Sequence, residues 1–439
     1  MTILFIFIII IYLAIAIYFA LLNSYKTVGF FLIADCLQNI VAIVFYNNGV
    51  DGTLITAFTM IKELMIYLAV IVYLFKRKKI HIGRVELLAL FYIAIVAFNF
   101  LRSSAPMSAI IASVRTLLLP VVFICYGKTL PRGEITDFKV TNYIIKTSLI
   151  LSVFAFIEYF ILGDAFWRSI GYTKYITSYK IMSSWTYNGV SINYYTWDFG
   201  HAVRRFVSLM ADPLATAYLV FLGLSLLWLG CKNKLRNNRG LRHVLEIFLL
   251  ITSILFFSKG IYVCITVCLM VAYLFKNQYR YKRLKTPITI GLFIILAGVM
   301  YVGFSGKLGT TSSANHFNGL VTALQNGGWF GRGLGSAGIN AAVSGAEVDM
   351  GESYIGTIIY QLGYIGLLLF GFMYAEILKK SITIWRTSKE NSAKHSIYIL
   401  IAIFLCMMFS ESSCSVSGTG IYFILIGMTL RKQQLLKCD

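Results

Sequence analysis

The sequence predicts an all-α polytopic membrane protein with 12 or 13 transmembrane helices, and three observations predict it. Hydrophobic residues make up 58% of the 439-residue chain and charged residues only 13%, far from the composition of a soluble globule. The apolar residues fall into thirteen stretches long enough, or nearly so, to cross a bilayer as helices of about 20 residues. When alternate connections are assigned to alternate sides, one side holds 27 of the 39 Lys and Arg, the other nine, and three lie within spans. Basic loops stay cytoplasmic. The formal charge of +21 is therefore that of cytoplasmic loops facing anionic lipid, and not a nucleic-acid surface.

Taken in order, the spans are 2–22, 27–46, 53–75, 86–101, 107–126, 143–162, 206–230, 243–257, 261–275, 287–305, 353–377, 395–411 and 419–430. The first has no basic n-region and is too long for a signal peptide. Lys76-Arg77-Lys78-Lys79, Lys232 to Arg242, Lys276 to Lys285, Lys379 to Lys394 and Arg431-Lys432 all fall on the cytoplasmic side, which puts the N-terminus outside. The pair 243–275 is too long for one span, and Ser258-Lys259-Gly260 at its middle reads as a tight external turn. Of the eight cysteines only Cys414 reads as external, without an external partner, so no disulfide framework is expected. The whole chain, 1–439, reads as one integral membrane domain.

Two connections, 163–205 and 306–352, are long, basic-poor and external, and structureless loops of that length are usually functional or disordered. The first carries Trp167, Tyr172, Tyr175, Tyr179, Trp185, Tyr187, Tyr194, Tyr195 and Trp197, too many aromatics for disorder. Part of this set could equally be an interfacial belt. The second is rich in Gly and Ser, with an amphipathic helix expected over 314–324.

Arg204 and Arg205 precede Asp212-Pro213, a good helix start. Helix N-termini favour anions and arginine can grip phosphate oxygens in pairs, so both are candidate phosphate ligands; contact with lipid headgroups is the alternative. Lys259 is a weaker candidate, since a snorkelling turn lysine looks the same. Arg115 lies within the fifth span, where an intramembrane charge is a functional hypothesis by default; an ion pair with Asp35, Glu158 or Glu63 competes. Lys62 and Glu63, being adjacent on a helix, do not pair with each other. The glycines around Arg332 lack a P-loop pattern and more plausibly let backbone approach a ligand or helix. Glu352, where loop becomes span, is either a general base or a helix-capping acid. No His, Cys or carboxylate grouping has metal-ligand spacing, and neither metal nor cofactor is expected.

Several local features together resemble one family. Arg205 stands eight residues before Pro213; Ser258-Lys259-Gly260 opens a later helix; Trp329-Phe330-Gly331-Arg332-Gly333-Leu334-Gly335 precedes Glu352-Ser353-Tyr354 and Gly363-Tyr364-Ile365-Gly366. In this order and sidedness, from about residue 85 onward, the chain resembles the bacterial O-antigen polymerases, usually called Wzy, and the related O-antigen ligases. The resemblance implies a GT-C-like fold at the inner membrane with its active site facing the periplasm. It implies a metal-independent glycosyltransferase that joins undecaprenyl-pyrophosphate-linked repeat units, a donor glycan and an acceptor unit, into surface polysaccharide. A chain-length regulator and a flippase are implied partners. Arg204, Arg205, Lys259, Arg332 and Arg115 would hold pyrophosphate, with Arg205 and Arg332 stabilising the leaving group. Glu352 would deprotonate the acceptor hydroxyl, and Trp185, Tyr187, Tyr195 and Trp197 would stack on sugars. The sequence departs from the family where an arginine is followed eleven residues later by glycine: Ala215, Thr216 and Val343 stand at those distances. Glu352 also stands where ligases often have histidine, which favours polymerase over ligase. A flippase or secondary transporter is the distant alternative.

Overall fold

The computed structural model describes residues 1–76, 82–180, 186–275, 291, 311–338, 341 and 352–434. Its helices are α1 (Thr2–Leu22), α2 (Tyr25–Asn47), α3 (Gly52–Lys76), α4 (Arg84–Arg102), α5 (Met107–Thr129), α6 (Glu134–Ile157), α7 (Gly163–Ser169), α8 (Tyr172–Lys174), α9 (Pro213–Trp228), α10 (Arg239–Leu255), α11 (Lys259–Leu274), α12 (Thr311–Asn326), α13 (Tyr354–Ser388), α14 (Asn391–Met407) and α15 (Val416–Leu430). The described strands are four two-residue pieces forming two hairpins. Among the described residues, seven helical stretches are long and apolar enough to cross a membrane, and α9, α11, α14 and α15 are shorter apolar helices. This is the architecture of an α-helical multi-pass membrane protein.

Most expected spans reappear within a few residues. The pair 243–275 is two helices, α10 and α11, broken at 256–258, where Phe257 takes a positive φ of 46°. The span expected at 287–305 lies outside the described residues. Three boundaries differ by more: α6 starts at Glu134 where 143 was expected, α13 runs on to Ser388 where 377 was expected, and the third is the start of α9. The span expected to begin at 206 begins at Pro213, capped by Asp212 through the amides of Leu214 (2.9 Å) and Ala215 (3.1 Å). Hydropathy extended it backward because Phe206, Val207 and Met210 are apolar and buried, yet they belong to a non-helical segment.

The chain divides into two compact units: Met1–Ile80 with Val122–Ser258, and His81–Val121 with Lys259–Asp439. In the first, almost every residue of α9 is buried, and α6 comes close enough for Ser148 to donate to the Leu219 carbonyl at 2.8 Å. Between α2 and α3 a buried ion pair joins Lys62 to Asp35. Asn39, one turn above Asp35 on α2, donates to the carbonyl of Met210 in the segment before α9. In the second unit α13 packs along α4, α12 and α14. It is two helices in one line, since Gly363 breaks it with φ 76° and ψ −174°.

Candidate functional site

The long connection of the first unit folds around its own aromatic residues. Trp167, Tyr172, Tyr175 and Tyr194 are buried, and they pack with Phe5, Ile43, Ile55 and Phe58 of α1–α3. Each such side chain stabilises by roughly 1.5–3 kcal/mol. These aromatics are core, so the belt alternative does not apply to them. Strand β1 (Thr186–Tyr187) turns through Asn188-Gly189 into β2 (Val190–Ser191), with Asn188 and Gly189 both at positive φ. Asn-Gly is the residue pair that such a two-residue hairpin demands. A second hairpin pairs β3 (Tyr195–Thr196) with β4 (Val203–Arg204) and sets Arg204 opposite Tyr195.

That register delivers Arg204 to two carboxylates. Its Nε donates to Asp164 at 2.8 Å, its Nη1 to Glu158 at 3.2 Å, and its Nη2 also bonds Glu158. Glu158, fully buried, further accepts from Trp167 Nε1 at 2.6 Å and from the Val207 amide at 3.3 Å. Burial disfavours the charged guanidinium, but Glu158 and Asp164 outweigh it and hold its pKa above the ordinary arginine value. Arg204 thus ties the connection together, and a phosphate there would have to displace two carboxylates. Asp35 pairs with Lys62, and Glu158 with Arg204.

Arg205 is half-buried, and its amide bonds the Tyr194 carbonyl at 2.8 Å. Tyr187 meets Tyr195 at 4.8 Å and Trp197 at 5.2 Å, both edge-on. Trp197 is 44% exposed, whereas Tyr195 is buried and donates to Asp164. Burial first, and then that bond to Asp164, raise the Tyr195 phenol above its ordinary pKa. Of the expected sugar platform, Tyr187 and Trp197 form its accessible part; Trp185 lies outside the described residues.

In the second unit, α12 covers the helix expected at 314–324. The glycine-rich segment after it locks onto the break in α13 through four backbone hydrogen bonds. The Arg332 amide bonds Tyr360 O at 2.7 Å and the Gly333 amide bonds Gln361 O at 3.3 Å. On the far side of the break, the amides of Tyr364 and Ile365 bond Gly328 O (2.9 Å) and Trp329 O (3.3 Å). Here the glycines are obligatory. A Cβ on Gly331 would sit 2.3 Å from Gln361 O, and one on Gly363 would sit 2.2 Å from Trp329 O. Backbone groups freed by a helix break must be re-satisfied, and this segment does so.

The interlock presents Arg332 outward. Its side chain is exposed and Nε donates to Asn326 O at 3.1 Å. Arg102, at the end of α4, donates to Phe330 O at 3.3 Å, and Trp329 and Phe330 are 65% and 52% exposed. Among the described residues neither Arg332 nor Arg102 has a carboxylate partner. Glu352 is half-buried just before α13, but the helix is capped by Ser353, whose hydroxyl accepts from the Gly356 amide at 3.0 Å. The capping role weighed for Glu352 therefore belongs to its neighbour. Lys259 is the first residue of α11 and Arg115 lies mid-α5, both half-buried. The structure places Arg204 and Arg205 in the first unit and Arg115, Lys259, Arg332 and Glu352 in the second.

Sequence reasoning passed over Gln361, Ser113, Glu411 and Arg102. Three lie in apolar or helix-end contexts with no motif, but Glu411, in Ser410-Glu411-Ser412-Ser413, is a carboxylate between two spans and could have been singled out. No known family model, characterised protein or solved structure matches this chain.

Proposed function

We propose that this protein is a membrane glycosyltransferase that polymerises lipid-linked oligosaccharide repeat units. Its substrates would be carried on undecaprenyl pyrophosphate at the periplasmic face of a bacterial inner membrane. The observation that carries the reading is Arg332: its backbone is held by the interlock and its guanidinium is exposed near Trp329 and Phe330 in the chain, with no carboxylate partner among the described residues. Such a group suits a leaving pyrophosphate, whose developing charge is the main thing the enzyme must stabilise. Arg205 is assigned to a lipid-linked phosphate in the first unit, Glu352 to the acceptor hydroxyl as base, and Tyr187 with Trp197 to a sugar face.

The test is the surface glycan of a deletion strain. A polymerase deletion leaves single repeat units transferred to the lipopolysaccharide core, provided the polymer is an O-antigen. Uncapped core with long carrier-linked polymer would move the assignment to ligase. Arg332→Ala should reproduce the deletion phenotype at normal protein level, with Lys rescuing in part because it loses the paired geometry. Glu352→Gln should do the same if that carboxylate is the base. Sidedness is checked by thiol labelling in a cysteine-free background: Asn188→Cys should react from outside and Lys232→Cys from inside.

A transporter is the second reading, favoured by two observations. The Lys62–Asp35 pair lies mid-helix and buried, and α13 is broken at Gly363; both are features of transporter cores. Purified protein in proteoliposomes with the lipid-linked repeat unit separates the two. Polymer formation supports the enzyme, and translocation without polymer supports the transporter.

A further inference from the structure

The end of the first half of α13 carries an amide whose bonding is unfinished. Gln361 is fully buried, seven residues into the helix, so about 10 Å along it from Tyr354. Its Nε2 donates to the Ala337 carbonyl and to Ser113 Oγ at 3.1 Å, which uses both amide protons. Its Oε1 is buried with no hydrogen-bond partner among the described residues. Turning the amide over would not help, because the Ala337 carbonyl can only accept. The Ser113 hydroxyl, which takes the Gly335 amide at 3.1 Å and can still donate or accept, fits either orientation, so the Ala337 carbonyl decides it. An unmet buried acceptor costs about 1–3 kcal/mol, so a donor is called for at this point.

A second acceptor stands against the next residue of the same loop. Gly338, at φ 97°, lies so close to Glu411 that a Cβ there would come within 2.9 Å of the carboxylate. Glu411 is itself buried, in the turn between α14 and α15. Gln361 and Glu411 therefore touch consecutive residues, 337 and 338. The interlock also ties Arg332 to the same half-helix end, through its amide on Tyr360 O.

We infer that Gln361 and Glu411 form a hydroxyl-accepting subsite for the sugar joined directly to the phosphate that Arg332 holds. The inference rests on the glycosyltransferase reading and adds specificity-determining residues to it. Two acceptors select a donor-rich ligand, and a sugar presents hydroxyl donors. The loop that carries Arg332 at one end carries the contacts of both acceptors at the other, at residues 337 and 338.

The experiment uses full-length protein in nanodiscs, with the lipid-linked repeat unit extracted from the deletion strain as probe. Polymerisation kinetics and thermal stabilisation by the probe are both recorded. Gln361→Met keeps the shape and removes the acceptor. It should raise KM about tenfold and weaken probe-induced stabilisation while kcat changes less than threefold, in line with one lost hydrogen bond. Ser113→Ala, which leaves Oε1 untouched, should move KM less than threefold. If Gln361→Met does not fold, Glu411→Gln carries the test, since it replaces an acceptor oxygen with a donor and should raise KM likewise. Unchanged KM and unchanged stabilisation in a folded Gln361→Met overturn the inference and leave the glycosyltransferase reading standing. Probe binding that depends on sodium or potassium overturns it too, because the acceptors would then hold a cation. Wild-type protein that binds the probe and never polymerises it sinks the reading itself, while the stabilisation data still report on Gln361.

Discussion

The two long connections solve the same problem in opposite ways. The one between α6 and α9 builds a core: Trp167, Tyr172 and Tyr194 pack inward, and Arg204 is neutralised by Glu158 and Asp164. The one after α12 is tied to α13 by backbone bonds of Gly328, Trp329, Arg332 and Gly333, in a close approach that Gly331 and Gly363 permit. The first spends its arginine on its own stability, and the second leaves Arg332 exposed. An arginine's neighbours, more than its place in the chain, decide whether it can serve a ligand.

That contrast predicts a graded series. The largest effect is expected from Glu158→Gln or Arg204→Ala, because removing one member of a buried ion pair costs about 3–5 kcal/mol. Either variant should show a sharply lowered Tm and reduced yield of monodisperse protein; a wild-type Tm would mean the pair is idle. Next comes Gly331→Ala. A left-handed backbone and a collision with Gln361 O together cost about 2–4 kcal/mol, and Gly338→Ala should cost less because only a side chain must give way. Equal losses at 331 and 338 would say that the backbone interlock is not what holds the second connection.

Arg332→Ala sharpens the comparison from the other direction. As an exposed side chain its loss should change stability by no more than about 0.5 kcal/mol, while polymer is abolished or severely shortened. A large drop in Tm would assign it the structural part that Arg204 plays. The smallest effect is expected at Trp197, 44% exposed. Trp197→Ala should leave Tm nearly unchanged and weaken glycan binding by the one to two kcal/mol of a lost stacking contact, read as a KM change of about tenfold. No KM change would reduce the platform to Tyr187.

Hydropathy and local helix signals were enough, without coordinates, for the helical membrane class, the positions of most spans, the Asp212-Pro213 helix start and the helix within 314–324. These follow from local rules: a bilayer-length apolar run, a capping residue and a helical period are all written in neighbouring residues. Asn188-Gly189, a hairpin-turn signal of the same local kind, was passed over in the sequence. Tertiary structure decided what depends on residues far apart in the chain. Whether Arg204 meets lipid or carboxylate depends on Glu158, 46 residues away, and on a hairpin register opposite Tyr195. The start of α9 at Pro213 depends on Asn39 and Glu158 satisfying backbone before it. The break at Gly363 depends on a partner segment some 30 residues earlier, for glycine in an apolar helix is common and only that partner turns it into an interruption. Gln361 and Glu411 carry no local signal of meeting the same loop, because that depends on positive-φ glycines folding it back onto the end of a half-helix.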